Sequence, residues 1–232
     1  MVTKPRVFCR QLGLIPYLYA LRLQQELREE ISTQRTMKEE STHTLFICEH
    51  PSVITFGSSA TEHDLLVDHK ILQARGFELF DIRRGGRITM HNPGQLVVYP
   101  ILNLNDFKTD IRWFIASLAK VVILTLEQIG IEGFYDAYFP GVWIKDVGSG
   151  EARKVCAIGV HLSRWISNHG LALNVNNDLK PYEYFIPCGI NQEERGVTSI
   201  GKQLGRPVSV GEVTRLLISN FETVFDCTLL FA

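Results

Sequence analysis

"GVWIKDVGSGEARKVCAIGVHL", residues 141–162, holds two runs of strand-forming residues joined by a link of turn length. The runs "GVWIKDV" and "RKVCAIGVHL" flank "GSGEA", a five-residue connection containing glycine, which suits a β-hairpin and is too short for a crossover helix. A further run, "HGLALNV" at 169–175, follows closely, and "YEYFIP" at 182–187 also has strand composition. Helical periodicity lies elsewhere. In "YLYALRLQQELREEI" (17–31), Ala20, Leu23, Leu27 and Ile31 recur at helical spacing with charges opposite. Asp110 is placed to cap "IRWFIASLAKVVILTLEQI", Gly130 to end it, and Ser209 with Glu212 forms a capping box for "VGEVTRLLISNFETVF". Helices separated by runs of short strands predict an α+β fold in a single domain over 1–232.

The amino-terminal half adds "TLFICEHPSVITFG" (44–57), read as a strand, a turn at Glu49–Ser52 and a second strand. "FELFDI" (77–82) predicts another strand, running into "RRGGRITMHNPGQLVVYPILNL" (83–104), a basic glycine turn followed by strand material around an Asn92–Pro93–Gly94 turn. "SSATEHDLL" and the polar "STQRTMKEESTH" predict loop or helix tail.

Composition narrows the functional classes. Hydrophobic residues make up 45% and charged residues 21%, with 24 basic against 25 acidic side chains. A net charge of −1 gives no electrostatic reason to expect nucleic acid or a membrane surface. No apolar run reaches the roughly 18–20 residues of a spanning helix, and "MVTKPRVFCRQLG" has no secretory apolar core, so cytoplasm is the expected compartment. The cysteines, Cys9, Cys48, Cys156, Cys188 and Cys227, are odd in number and widely spaced, without C-x-x-C. Structural zinc and a disulfide framework are both poor readings of that pattern.

Cys188 stands apart within "YFIPCGI" (184–190), on the turn after Pro187 and before Gly189. A thiol near its ordinary pKa of about 8.5 is mostly protonated at pH 7, so a nucleophilic cysteine needs a neighbouring base. Lys154 is one candidate: strict alternation along "RKVCAIGVHL" puts it on the face of Cys156, Ile158, Val160 and Leu162, at the rim of an apolar surface. His91, His161 and His169 are others. The residues alone leave Cys188 as packing residue or nucleophile, and Lys154 as base or snorkelling strand-end lysine. "RRGG" allows close backbone approach by a ligand beside three arginines, Arg83, Arg84 and Arg87, but carries neither a Rossmann nor a P-loop spacing.

"EHPSVITFG", "RRGGRITMHNPGQLVVYPILNL", "GVWIKD…RKVCAIGVHLSRWISNHGLALNVNNDL" and "IPCGI…GVTSIG" occur in that order over about two-thirds of the chain, Glu49 to Gly201. Together they resemble the lipoyl(octanoyl) transferases, and the resemblance implies the fold shared with the catalytic domains of lipoate- and biotin-protein ligases, a central mixed β-sheet flanked by helices. The resemblance implies a catalytic dyad of Cys188 and Lys154. It implies substrate-binding segments at Arg84, Gly85, Gly86, Arg87, Ile88, Thr89, Met90 and His91, at Ala157, Ile158 and Gly159, and at Gly170, Leu171 and Ala172. The donor implied is octanoyl-acyl carrier protein, whose phosphopantetheine carries the acyl group, with no cofactor or metal of the enzyme's own. The acceptors implied are lipoyl domains of 2-oxoacid dehydrogenase complexes and the glycine cleavage H protein, and a monomer is the default state. Three positions depart from the family pattern: "MHNPGQ" replaces a usual "YHGPGQ", bringing Met90 and Asn92, and Leu171 replaces an aromatic. Cys156 adds a second thiol near the implied site. Arg83, Arg84 and Arg87, and separately Arg195, Lys202 and Arg206, are candidate basic patches for an acidic carrier protein. The rival readings are an ATP-dependent lipoate ligase, a Cys/His acyl hydrolase and a non-catalytic binding module.

Overall fold

The computed structural model describes residues 4–146, 150–186 and 196–231. Its centre is an eight-stranded mixed sheet of order β11-β1-β2-β6-β10-β9-β8-β7. The strands are β1 (Arg6–Leu14), β2 (His43–Glu49), β6 (Gln95–Ile101), β7 (Gly133–Tyr135), β8 (Gly141–Lys145), β9 (Ala152–Ser163), β10 (Ile166–Asn174) and β11 (Thr228–Phe231). β1 pairs in parallel with both β2 and β11, while β2–β6–β10–β9–β8–β7 are antiparallel neighbours. A second sheet, β4-β3-β5, is built from β3 (Val53–Phe56), β4 (Glu78–Asp81) and β5 (Ile88–His91).

Helix α1 (Tyr17–Met37) covers one face of the central sheet, burying Ala20, Leu27 and Ile31 against Phe46, Val97, Tyr99 and Ala172. Gln24 interrupts that apolar stripe and is fully buried. The other face is covered by α3 (Ile111–Gln128) and α5 (Val210–Phe225), whose Phe114, Leu118, Val122, Leu217 and Phe221 share one core with Leu45, Val98, Cys156 and Leu173. Both helices start where capping chemistry predicts. Asp110 accepts from the backbone amides of Arg112 and Trp113, and Ser209 accepts from that of Glu212. Short helices α2 (His69–Ala74) and α4 (Ile200–Leu204) complete the set.

The structure corrects one sequence reading and adds elements that it lacked. "YEYFIP" is not a strand over its described residues: Lys180–Tyr184 forms a 3-10 turn opened by Pro181, and Phe185 makes a bridge to Leu65, while Pro187 lies outside the described residues. "TLFICEHPSVITFG" forms the two strands expected, β2 and β3, which the bend at Pro51 and Ser52 sends into different sheets. The edge strands β1, β7 and β11 and the helix α2 carry no strong periodicity and were not anticipated. Among the described residues, no helix is long and apolar enough to cross a membrane.

Candidate active site

The β9–β10 hairpin supplies the floor of a pocket. The strands turn through Arg164 and Trp165, both at positive φ, and pair Ala157 with Ala172, Gly159 with Gly170 and Val160 with His169. The small residues leave a groove over the sheet face that carries α1. The glycine turn at 84–87 closes over this groove, tied to β9 by the Gly85 amide donating to the Val160 carbonyl at 3.0 Å. A Cβ on Gly159 would lie 3.0 Å from the Gly85 carbonyl oxygen and 3.2 Å from Arg84 Cδ, so a side chain at that floor position would press the glycine turn outward by a few tenths of an ångström.

The resulting pocket has about 540 Å³ of empty space, its open mouth included. It is lined by Arg84 to Thr89, His91, Ala157 to Gly159 and Gly170 to Ala172, together with Tyr17, Tyr99, Pro140 and His169. Thus three segments separated in sequence meet around one cavity. Met90 is the exception among them: fully buried, it packs with Ile54, Ile88 and Phe185 in the core behind the second sheet. Its difference from the usual residue therefore acts behind the wall. Asn92 also turns away, donating to the Asp178 carbonyl and accepting from Asn177.

Lys154 reaches this face because β9 is bulged. Register steps from Val142–Cys156 to Trp143–Lys154, so Val155 has no opposite number. Val155 and Cys156 both enter the core under α3, and Lys154 emerges on the other face with Trp143. Strict alternation had put Lys154 beside Cys156; the extra residue reverses that side chain. The Lys154 amine then donates to the Pro140 carbonyl at 3.3 Å and sits 4.7 Å from the Trp143 ring centroid. Trp143 is held in turn by its indole N–H on the Phe139 carbonyl. Cys156 is fully buried among apolar side chains, and burial pushes its thiol up to about 12, which makes it inert.

Cys188, the other member of the expected dyad, lies outside the described residues, as does Arg195. The described residues that flank 187–195 are held by backbone hydrogen bonds. The Ile186 amide donates to the Asp64 carbonyl at 2.7 Å. On the far side, Lys154 N–H donates to the Gly196 carbonyl and Thr198 N–H to the Lys154 carbonyl.

The inner wall is aromatic and neutral. His91 donates from Nδ1 to Gln95 Oε1 at 2.7 Å, and Gln95 passes the chain on to Asn174. Burial, with the positive charge of Arg84 and neighbouring imidazoles, holds the His91 pKa down to about 3. His50 gives its Nδ1 proton to the Ile15 carbonyl, so its Nε2 accepts from the Tyr99 hydroxyl at 2.9 Å. Tyr17 stacks on His91 with ring centroids 5.9 Å apart. Asn174 and Asn176 have structural roles, to Thr198 and Val208 respectively. Arg84 is buried, with its guanidinium on the Thr55 carbonyl and hydroxyl, and Arg87 is paired with Asp64 at 2.7 Å. The Arg83, Arg84, Arg87 patch expected from sequence is therefore not a shared cationic surface, whereas Lys202 and Arg206 are exposed. Among the described residues no cluster of three His, Cys, Asp or Glu side chains could hold a metal ion.

The family model for the lipoyl protein ligase A/B catalytic domain matches residues 16–222. The chain belongs to that family. Its relatives there are octanoyltransferases, which are acyltransferases. The mitochondrial octanoyl-[acyl-carrier-protein]:protein N-octanoyltransferase of Danio rerio is 38% identical over 231 residues, covering 99% of this chain and 97% of its own. The Myxococcus xanthus octanoyltransferase is 42% identical over 182 residues, 78% of this chain, which spans about half the length of that relative (50%). The bipartite lipoate protein ligase of Thermoplasma acidophilum superposes with a TM-score of 0.69 over 99% of this chain and 86% of that one. At 17% identity that likeness speaks for the fold alone. Within this octanoyltransferase family member, the features that sequence reasoning missed are Tyr17, Tyr99 and Pro140. The only signal for the α1 contribution was a glutamine at an apolar position of the helix.

Proposed function

We propose that the chain transfers an octanoyl group from octanoyl-acyl carrier protein to a lysine of a lipoyl-domain protein, through a thioester on Cys188. Lys154 acts as the base. Its amine takes the Cys188 proton as the thiolate attacks the donor carbonyl; a new C–S bond forms, the pantetheine C–S bond breaks, and the departing sulfur takes the proton. In the second half, the acceptor amine attacks the acyl-enzyme carbonyl, a C–N bond forms as the acyl–Cys188 C–S bond breaks, and the proton that the amine loses returns through Lys154 to the departing Cys188 sulfur. Exchange of one thioester for another is nearly even, and thioester to amide runs downhill, so the sequence balances without a nucleotide.

The observation that supports this reading most is the placement of Lys154. The β9 bulge turns its amine onto the Pro140 carbonyl at the edge of the pocket, and its backbone pairs with the chain just beyond the 187–195 segment. Residues Arg84–His91, Ala157–Gly159 and Gly170–Ala172 are proposed to hold the acyl chain, with Met90 supporting from behind. The natural acceptors proposed are the lipoyl domains of 2-oxoacid dehydrogenase complexes and the glycine cleavage H protein. The test is transfer from octanoyl-acyl carrier protein to a purified lipoyl domain with no nucleotide present. Octanoylated lysine is the expected product. Modification only from free octanoate and ATP would instead make the chain a ligase, and release of octanoate to water a hydrolase.

A further inference from the structure

We propose that His169 ends the acyl pocket and sets the length of chain that it accepts, an inference that rests on the octanoyl-transfer reading. His169 has a left-handed backbone, φ +59, in the middle of a strand, a strained conformation for a non-glycine residue that persists only where the surroundings impose it. The surroundings do so here. Its backbone amide donates to the side-chain oxygen of Gln24 at 2.9 Å, the glutamine that breaks the apolar stripe of α1. Both residues are buried, and His169 lines the pocket.

The position along the floor is what matters. Pro140 and Ala157 mark the end of the pocket nearest Lys154. Three residues further along β9, about 10 Å at strand rise, the Val160 carbonyl is bonded to Gly85, and there Val160 pairs with His169. The glycine turn and the imidazole thus close the pocket together, at a distance that suits a medium-length acyl chain whose carbonyl lies at the Lys154 end. Behind the ring the surroundings are polar. Gln24 Nε2 and Asn168 Oδ1 are buried without hydrogen-bond partners among the described residues, and the Asn168 amide lies 3.4 Å from His169 Nε2. Extra methylenes driven past the ring would meet amide groups instead of apolar side chains. Burial and the nearby Arg84 charge hold the imidazole pKa down to about 3, so the imidazole itself is uncharged.

The experiment compares kcat/KM for octanoyl- and decanoyl-acyl carrier protein in the full chain and in His169→Gly and His169→Asn, two residues that tolerate a left-handed backbone. The decanoyl-to-octanoyl ratio should rise about tenfold or more in His169→Gly, with a smaller rise in His169→Asn. A ratio within twofold of wild type while octanoyl transfer persists would overturn the proposal. So would equal loss of both donors in both variants, which would assign His169 to the chemistry. A wild-type chain that is acylated by neither donor would instead sink the octanoyl-transfer reading itself.

Discussion

The Lys154 backbone amide donates to the Gly196 carbonyl at 3.0 Å, and Lys154 returns the contact by accepting from Thr198 at 2.9 Å. Lys154 is thereby fixed twice. Its side chain is set against Pro140 and Trp143, and its main chain bridges Val197 between those two hydrogen bonds. A base for a cysteine at 188 needs such a fixed position, because proton transfer requires hydrogen-bond reach.

Gly141 is the first place to disturb that arrangement. Its φ is +149, and a Cβ there would lie 2.5 Å from the Cys156 carbonyl oxygen and 3.2 Å from Lys154 Cε. Gly141→Ala should cost about 1–3 kcal/mol in stability from the backbone conformation alone. It should also cut transfer by more than that loss accounts for at temperatures where the variant remains folded. Chemical denaturation and single-turnover acylation, run together, separate the two effects. Unchanged transfer in a folded variant would show that the Lys154 stem tolerates displacement.

The buried imidazoles make stability depend on pH in a defined window. His91 and His169 are held to about 3 in the folded chain, against about 6.5 when exposed. Between those values the unfolded state binds protons that the folded state refuses. Stability is therefore greatest above about pH 6.5 and falls as pH drops toward 3, with a limiting slope of about 1.4 kcal/mol per pH unit for each histidine. Urea unfolding at pH 7.5 and 5.5 should show the fall, and His169→Asn should lessen it. An equal fall in the variant would assign the pH dependence to other groups.

The second basic cluster offers a test of donor recognition. Lys202 and Arg206 lie on and just beyond α4, both exposed, and α4 follows the segment that contains Cys188. Reversing both charges, Lys202→Glu with Arg206→Glu, should raise KM for an acidic carrier protein several-fold at low ionic strength, and the difference should shrink with added salt. An unchanged KM at low salt would remove this surface from the docking site.

How far the sequence revealed this arrangement differs from element to element. The long helices were legible because their caps and apolar spacing are local: Asp110 and Ser209 accept the bonds that their positions predict. The clustering of Arg84–His91 with Ala157–Gly159 and Gly170–Ala172 followed from a motif set, since nothing local announces that distant strands share a floor. The face of Lys154 was misread because alternation assumes one residue per register step, and the unpaired Val155 breaks that rule without any compositional mark. Edge strands β1 and β11 escaped notice because their pairing is long-range: Arg6 to Cys9 pair with Thr228 to Phe231 at the opposite end of the chain. Arg84, a charge expected at the surface, instead bonds Thr55 inside the wall, a partner 29 residues away.

The covalent intermediate is the central claim, and intact-protein mass spectrometry after mixing with octanoyl-acyl carrier protein tests it most directly. A single octanoyl adduct should form that maps to Cys188, is released by neutral hydroxylamine, and fails to appear in Cys188→Ala or Lys154→Ala. An adduct that survives hydroxylamine, maps to another residue, or forms undiminished without Lys154 would contradict it.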